Sequence, residues 1–387
     1  MNTITIEKRF IYYPVALLIL ALTMLIHTSI VKPFYNWDLL GYIGTMHSYS
    51  EVSDEQIHTK TYATAKAHVP EHKYLELTQG QGYRNTMASN ANLFVQQLKY
   101  YKVKPTYPRM LQLFNSMGVN PVSASIIITR TSTFLIMFIC FIWLVSLKTN
   151  PIIASVMASV LILNEYMSWA GALSTPDAVT TVYIIGVLGL LFNERYRKWA
   201  LVLMALSPFL RPDCIVIGGL CCGLFFLFDE KLRRWAFCCS LLSLFVFFVG
   251  VQFLSDGKYS WTTHFYFTFV TPVLDPDNFT STLKLSDYIR IYKQMFALMI
   301  NQTGYSVYLS LSAIATFVCM RLHGLRHASS IMSLAIFGSL IVHWFILPYD
   351  KERQVLYAFF GATMLIIAAC SVKSRSEKED TFNEDAK

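Results

Sequence analysis

Residues Ile11–Val31 and Ile331–Leu347 contain no Asp, Glu, Lys or Arg. As helices rising 1.5 Å per residue, runs of this kind cross a hydrocarbon layer roughly 30 Å thick. Composition supports a membrane destination: 54% of residues are hydrophobic and 14% charged, against about 25% charged in soluble domains. A mean hydropathy of +0.43 agrees. A soluble enzyme, a disordered chain and a secreted disulfide scaffold are excluded on these grounds. Residues 11–31 exceed the apolar region of a signal peptide, and Val31-Lys32-Pro33 lacks the small residues of a cleavage site, so the segment reads as a retained anchor.

The net charge of +8 is spread in short clusters between apolar runs, with no basic stripe. Nucleic acid is therefore not an expected partner, whereas membrane lipid is. All eight cysteines lie in or beside apolar runs, which supports neither a disulfide framework nor a Cys-type zinc site. The nine histidines show no paired ligand spacing.

Apolar runs at approximately 11–31, 124–147, 152–173, 177–192, 199–210, 213–228, 235–254, 304–320, 329–347 and 354–371 predict an all-α membrane protein with about ten transmembrane helices. Cations in short connections collect on the cytoplasmic side. Lys8, Arg9, Lys148, Arg195, Arg197, Lys198, Lys231, Arg233, Arg234, Arg321 and Arg326 then share one face, while Arg211, Lys351 and Arg353 lie on the other. Both termini are expected in the cytoplasm. A single polytopic domain would span 1–373, followed by a short, charged tail (374–387) with the composition of a disordered segment.

Some spans are expected to be short or broken. The run 199–210 rises only about 18 Å, so the turn Ser207-Pro208-Phe209-Leu210-Arg211-Pro212-Asp213 should sit below the membrane surface, buried in protein or lining a cavity. The run from 152 either stops at Asn164-Glu165 or continues to Leu173. Two polar segments, 32–121 and 255–303, face outward. The first is too long for a simple connection; helical spacing of Tyr107, Met110, Leu111, Phe114 and Met117, and of Phe94, Leu98 and Tyr101, predicts amphipathic helices in it. The second is aromatic-rich and becomes amphipathic around Tyr288–Met299.

Charges kept near the bilayer carry the candidate chemistry. Asp38, flanked by Trp37, Tyr35 and Tyr42, suits a partly desolvated general base or, equally, the first cap of a helix. In Ser174-Thr175-Pro176-Asp177, capping is the stronger explanation for Asp177. Arg211 and Asp213 form either a buried ion pair or an anion site. Lys351, Glu352 and Arg353 fit a solvated turn or a second cationic patch. Lys102, Lys104 and Arg109 around Pro105-Thr106-Tyr107-Pro108 suit lipid headgroups or substrate. His343, inside a span, reads as a core residue bonded between helices. No phosphate-binding Walker loop, dinucleotide fingerprint, nucleophile elbow or HExxH motif occurs.

In this order the motifs resemble those of the GT-C membrane glycosyltransferases, bacterial members included. The likeness is one of layout over nearly the whole chain: one span, a long outer segment with an aspartate just inside it, then many spans. Local matches are Trp37-Asp38 with Tyr42, the run Tyr100–Pro108, Thr175-Pro176-Asp177, Leu210-Arg211-Pro212-Asp213 and Glu352-Arg353. Leu39 stands where the family often has a second acid, so a divalent cation lacks support and the sequence requires no cofactor. The resemblance implies an inverting transfer of sugar from a polyprenyl-phosphate carrier to a glycan or lipid acceptor at the outer face of a bacterial plasma membrane, in building cell-envelope polysaccharide. Asp38 would be the base; Arg211, Arg353, Lys351, Lys104, Tyr107, Asp177 and Asp213 would bind substrate. Two other readings stay open: a polysaccharide polymerase or ligase, and a transporter or flippase for lipid-linked or anionic substrates.

Overall fold

The computed structural model describes residues 3–51, 53–80, 82–255, 257–301, 303–348 and 352–385, and every helix or strand element named among them is helical. The charge-free N-terminal run forms α1 (Thr3–Ile30). Its Ala16 and Leu20 are buried while Leu18 and Leu25 are exposed, the one-sided burial of a helix that turns its other face to lipid.

Seven helices follow: α2 (Asp38–His47), α3 (Asp54–His68), α4 (Glu71–Gln79), α5 (Gly82–Ser89), α6 (Ala91–Gln97), α7 (Lys99–Lys102) and α8 (Thr106–Ser116). Helical periodicity in this segment was legible, and the result is more than a set of surface helices. Leu39, Ile43, Tyr62, Phe94, Leu98 and Leu111 build a core that continues into Val122, Ala124 and Ile128 of α9 (Pro121–Ser146). Ser53 and Asn120 cap α3 and α9, each accepting a backbone N–H three residues on. These bonds satisfy donors that a helix start leaves open.

The apolar runs then break as their lengths suggest. α10 (Pro151–Ile162) and α11 (Glu165–Ala172) meet at 66°, because Asn164 ends the first helix and its side chain caps the second through Met167 N at 2.9 Å. α12 (Asp177–Phe192) and the stretch 194–209, which contains α13 (Arg197–Leu206), meet at 113°. Two 3-10 turns, Ser207–Phe209 and Pro212–Cys214, flank an extended Arg211 before α14 (Ile215–Phe228). The remainder is α15 (Arg233–Gln252), α16 (Trp261–Phe269), α17 (Leu285–Asn301), α18 (Thr303–His323), α19 (Ala328–Ile346), a 3-10 turn at Glu352–Val355 and α20 (Leu356–Asp385).

Among the described residues six helices are long and apolar enough to cross a membrane, or up to eight if each bent pair makes one span. The chain is thus an all-helical, multi-pass membrane protein. Four of the apolar runs counted toward about ten are bent pairs or short helices. α20 also runs further than expected, to Asp385, where an unstructured tail from 374 was anticipated. Residues 374–385 contain no Gly or Pro to stop the helix. The main core gathers Ile136, Leu144, Ile184, Leu188, Ile217, Phe225, Leu340 and Phe360 from the spans.

Candidate functional site

Two short contacts bring distant carboxylates together. Where the chain leaves α1, Phe34 N donates to Ala172 O at 2.8 Å, and Phe34 pairs with Leu173 in an isolated parallel bridge. The next residues on each strand are Asn36-Trp37-Asp38 and Ser174-Thr175-Pro176-Asp177, so Asp38 opens α2 and Asp177 opens α12 side by side. Neither helix start shows the side-chain cap bond expected of a capping residue. Both carboxylates face cations instead.

Arg353 bridges the two acids, its Nη2 lying 3.4 Å from Asp38 and its Nη1 3.5 Å from Asp177. Asp38 also accepts from Asn36 Nδ2 at 2.7 Å and from the Tyr101 hydroxyl at 3.2 Å. Burial and the Asp38 charge push the Tyr101 phenol well up, which keeps it a proton donor toward that carboxylate. Asp177 is buried; besides Arg353 it accepts from Thr175 Oγ1 at 2.8 Å and from the Arg211 guanidinium. It thereby holds two guanidiniums in place.

Arg211 is 4% exposed. Its other side forms a fork with Asp213, Nε to Oδ1 at 3.1 Å and Nη2 to Oδ2 at 2.8 Å, the planar two-bond match that Lys cannot make. His343 Nε2 lies 3.3 Å from the same Asp213 oxygen. The span histidine therefore does bond between helices, and its partner belongs to this charge network, which sequence reasoning had not foreseen.

Lys104 approaches Arg211 because Thr106, two residues on, donates its hydroxyl to Phe209 O at 2.9 Å, tying the start of α8 to the broken turn. The ammonium sits 5.8 Å from the centre of the Tyr101 ring. Among the described residues no carboxylate lies within ion-pairing distance of it. Burial, and then the Arg211 charge, lower its pKa from the ordinary lysine value. A cation held beside a second cation, without a carboxylate of its own, is able to pair with an anion.

These groups line one cavity of about 580 Å³, whose wall includes Asp38, Lys104, Asp177, Arg211 and Arg353. That volume falls within the range of ordinary small-ligand sites. A smaller annex of about 70 Å³ lies beyond Lys104, Arg211 and His264 and includes Asp213 on its wall. Besides polar residues such as Arg84 and Gln97, aromatic side chains form much of the main cavity, among them Trp37, Tyr83, Tyr100 and Phe267. The last of these arrives on α16, which the following loop fixes: Gln97 Nε2 donates to Val273 O at 3.1 Å and Lys99 pairs with Asp277 at 2.9 Å.

Not every anticipated residue reaches the cavity. Tyr107 is 1% exposed and packs its ring 4.8 Å from that of Tyr42, supporting the wall from behind rather than contacting a ligand. Arg109 stacks on Tyr49 at 3.8 Å instead. Lys351 lies outside the described residues. Tyr101 escaped sequence reasoning because its partner Asp38 lies 63 residues away in the chain; Asn36 and Thr175 bond acids only two residues on, and matter because those acids face the site. Among the described residues no three His, Cys, Asp or Glu side chains converge as ligands of a metal ion. Compared with known proteins, the chain matches no family model, no curated protein and no solved structure.

Proposed function

We propose that the protein is an inverting glycosyltransferase that moves a sugar from a polyprenyl-phosphate carrier to an acceptor hydroxyl at the outer face of a bacterial plasma membrane, with both termini cytoplasmic. The observation that carries this reading is the meeting of one carboxylate, Asp38, with Lys104, Arg211 and Arg353 on a single cavity wall. Chemistry at a phosphate-activated sugar needs little more. Its leaving group is already a stable anion, so cations matter more than an acid. The acceptor oxygen needs a base.

In this reaction the acceptor O–H gives its proton to Asp38 as its oxygen bonds to the anomeric carbon. The bond from that carbon to the phosphate oxygen breaks, and its electron pair leaves with the phosphate toward Lys104 and Arg211. Attack from the face opposite the phosphate inverts the anomeric centre through an oxocarbenium-like transition state. Asn36 and Tyr101 orient the base; Asp177 and Asp213 hold the two arginines at fixed angles. The step as proposed uses the side chains of this chain alone.

Replacing Asp38 with Asn keeps its shape and removes its basicity. Transfer measured in membranes holding equal amounts of protein is expected to fall by at least 10²-fold, the lower range for a lost general base. Asp38→Asn transferring at the wild-type rate would end the assignment. Product analysis separates single-sugar addition, as proposed, from chain elongation or from movement without a new bond.

A further inference from the structure

The cavity carries a second cation without a carboxylate partner, and the phosphate reading does not use it. Arg84, on α5, lines the same cavity. Its one hydrogen bond among the described residues runs from Nη1 to Glu76 O at 2.8 Å. That bond to a backbone carbonyl fixes one edge of the guanidinium; the Glu76 carboxylate close by is ion-paired with Lys73 at 2.9 Å rather than with Arg84. Arg84 adjoins a row of rings in edge-to-face contact: Trp37 lies 5.4 Å from Tyr83, and Tyr83 lies 5.4 Å from Phe267. All three rings line the cavity, and Trp37 is the chain neighbour of Asp38.

The geometry points to a subsite for an anionic sugar, the acceptor, with its apolar C–H face on the Trp37–Tyr83–Phe267 row and its carboxylate or phosphate on Arg84. Rings of this kind offer a broad apolar surface with a polar handle at the edge. A guanidinium fork supplies the directional pairing that carboxylate and phosphate groups share. The position also explains the pairing of sites: an acceptor on this wall places its hydroxyls beside the base, while Lys104 and Arg211 remain available for the carrier phosphate. The acceptor role rests on the transferase reading; the anionic-sugar subsite stands on the ring row and Arg84.

The test uses purified full-length protein in detergent and four probes read by saturation-transfer NMR: glucuronate, glucose 6-phosphate, glucose and a polyprenyl phosphate. The wild type is expected to bind at least one anionic sugar about tenfold more tightly than glucose, the worth of one charge-assisted bond. Preference for glucuronate alone assigns a carboxylate, for glucose 6-phosphate alone a phosphate. Arg84→Gln removes the preference and keeps both glucose and polyprenyl phosphate binding; Arg84→Lys retains part of it. Lys104→Gln does the reverse, weakening polyprenyl phosphate and sparing the sugar preference. Equal binding of all three sugars by the wild type, a preference that survives Arg84→Gln, or one abolished by Lys104→Gln would overturn the subsite. Failure of polyprenyl phosphate to bind the wild type counts against the transferase reading instead, and the sugar arms still decide this one.

Discussion

Lys104 and Arg211 line the same cavity wall, yet their surroundings treat them in opposite ways. Arg211 is clamped between Asp177 and Asp213. Removing it leaves two carboxylates facing each other in a largely dry place, so Arg211→Ala is expected to destabilise the fold by about 3–5 kcal/mol, as loss of one partner of a buried pair does. Its check is the detergent-solubilised thermal transition beside that of Arg211→Lys, which keeps the charge and loses the fork. Lys104 has no such neighbour among the described residues and a lowered pKa. Lys104→Met is therefore expected to leave Tm unchanged or raised while weakening polyprenyl phosphate binding at least tenfold, since it removes a desolvation cost together with an anion contact. The pH dependence has a definite sign. Between the lowered folded value and the unfolded value near 10.5, the unfolded chain binds the Lys104 proton more tightly. Wild-type stability relative to Lys104→Met thus rises with pH through that window, while anion binding falls. A parallel pH series of Tm and binding on both proteins reads the two opposed trends.

At the scale of helices, the base depends on how closely two of them approach. A Cβ on Gly41 would lie 2.3–2.5 Å from ring atoms of Tyr101, so the absence of a side chain there lets the ring lie on α2. One turn earlier on the same face stands Asp38, which receives the Tyr101 hydroxyl. Gly41→Ala is expected to cost about 1–3 kcal/mol by overpacking and to reduce transfer at least as far as Tyr101→Phe does, which removes the hydroxyl and leaves the packing; Tm and transfer rates measured on both variants separate the two effects. Sequence showed much at this scale and missed particular things. Long apolar runs located α1, α9, α15, α18, α19 and the apolar part of α20, because lipid imposes length and polarity on any helix that crosses it. The broken character of 199–228 was legible from its shortness and from Arg211-Pro212-Asp213. The 66° bend at Asn164 was left open, since an Asn can cap a new helix or ride within one. Gly41 gave no local sign, as only the ring from α7 makes its lack of a side chain matter.

Over the whole molecule, the candidate site is assembled from pieces of the chain that no local pattern connects. Asp38, Lys104, Asp177, Arg211 and Arg353 were each legible as charges retained near the bilayer, where an ionised side chain is costly unless it is paired or useful. Their division of labour was not legible. Asp213 read in sequence as half of a buried ion pair or an anion site and Asp177 chiefly as a helix start; both are partners of the arginines, while His343 looked like core and joins the same network. Arg84 and Tyr83 stood in the first polar segment with no local sign, and nothing in sequence joined them to Trp37 or to Phe267 of the aromatic-rich second segment. One cavity, on this reading, holds a base for the acceptor and a cation pair for the carrier phosphate. An experimental structure of the protein with a polyprenyl phosphate sugar bound tests that most directly. The phosphate is expected within hydrogen-bonding distance of both Lys104 Nζ and the Arg211 guanidinium, with the open face of the anomeric carbon turned toward Asp38; a phosphate held elsewhere, or an anomeric carbon turned away from Asp38, would contradict it.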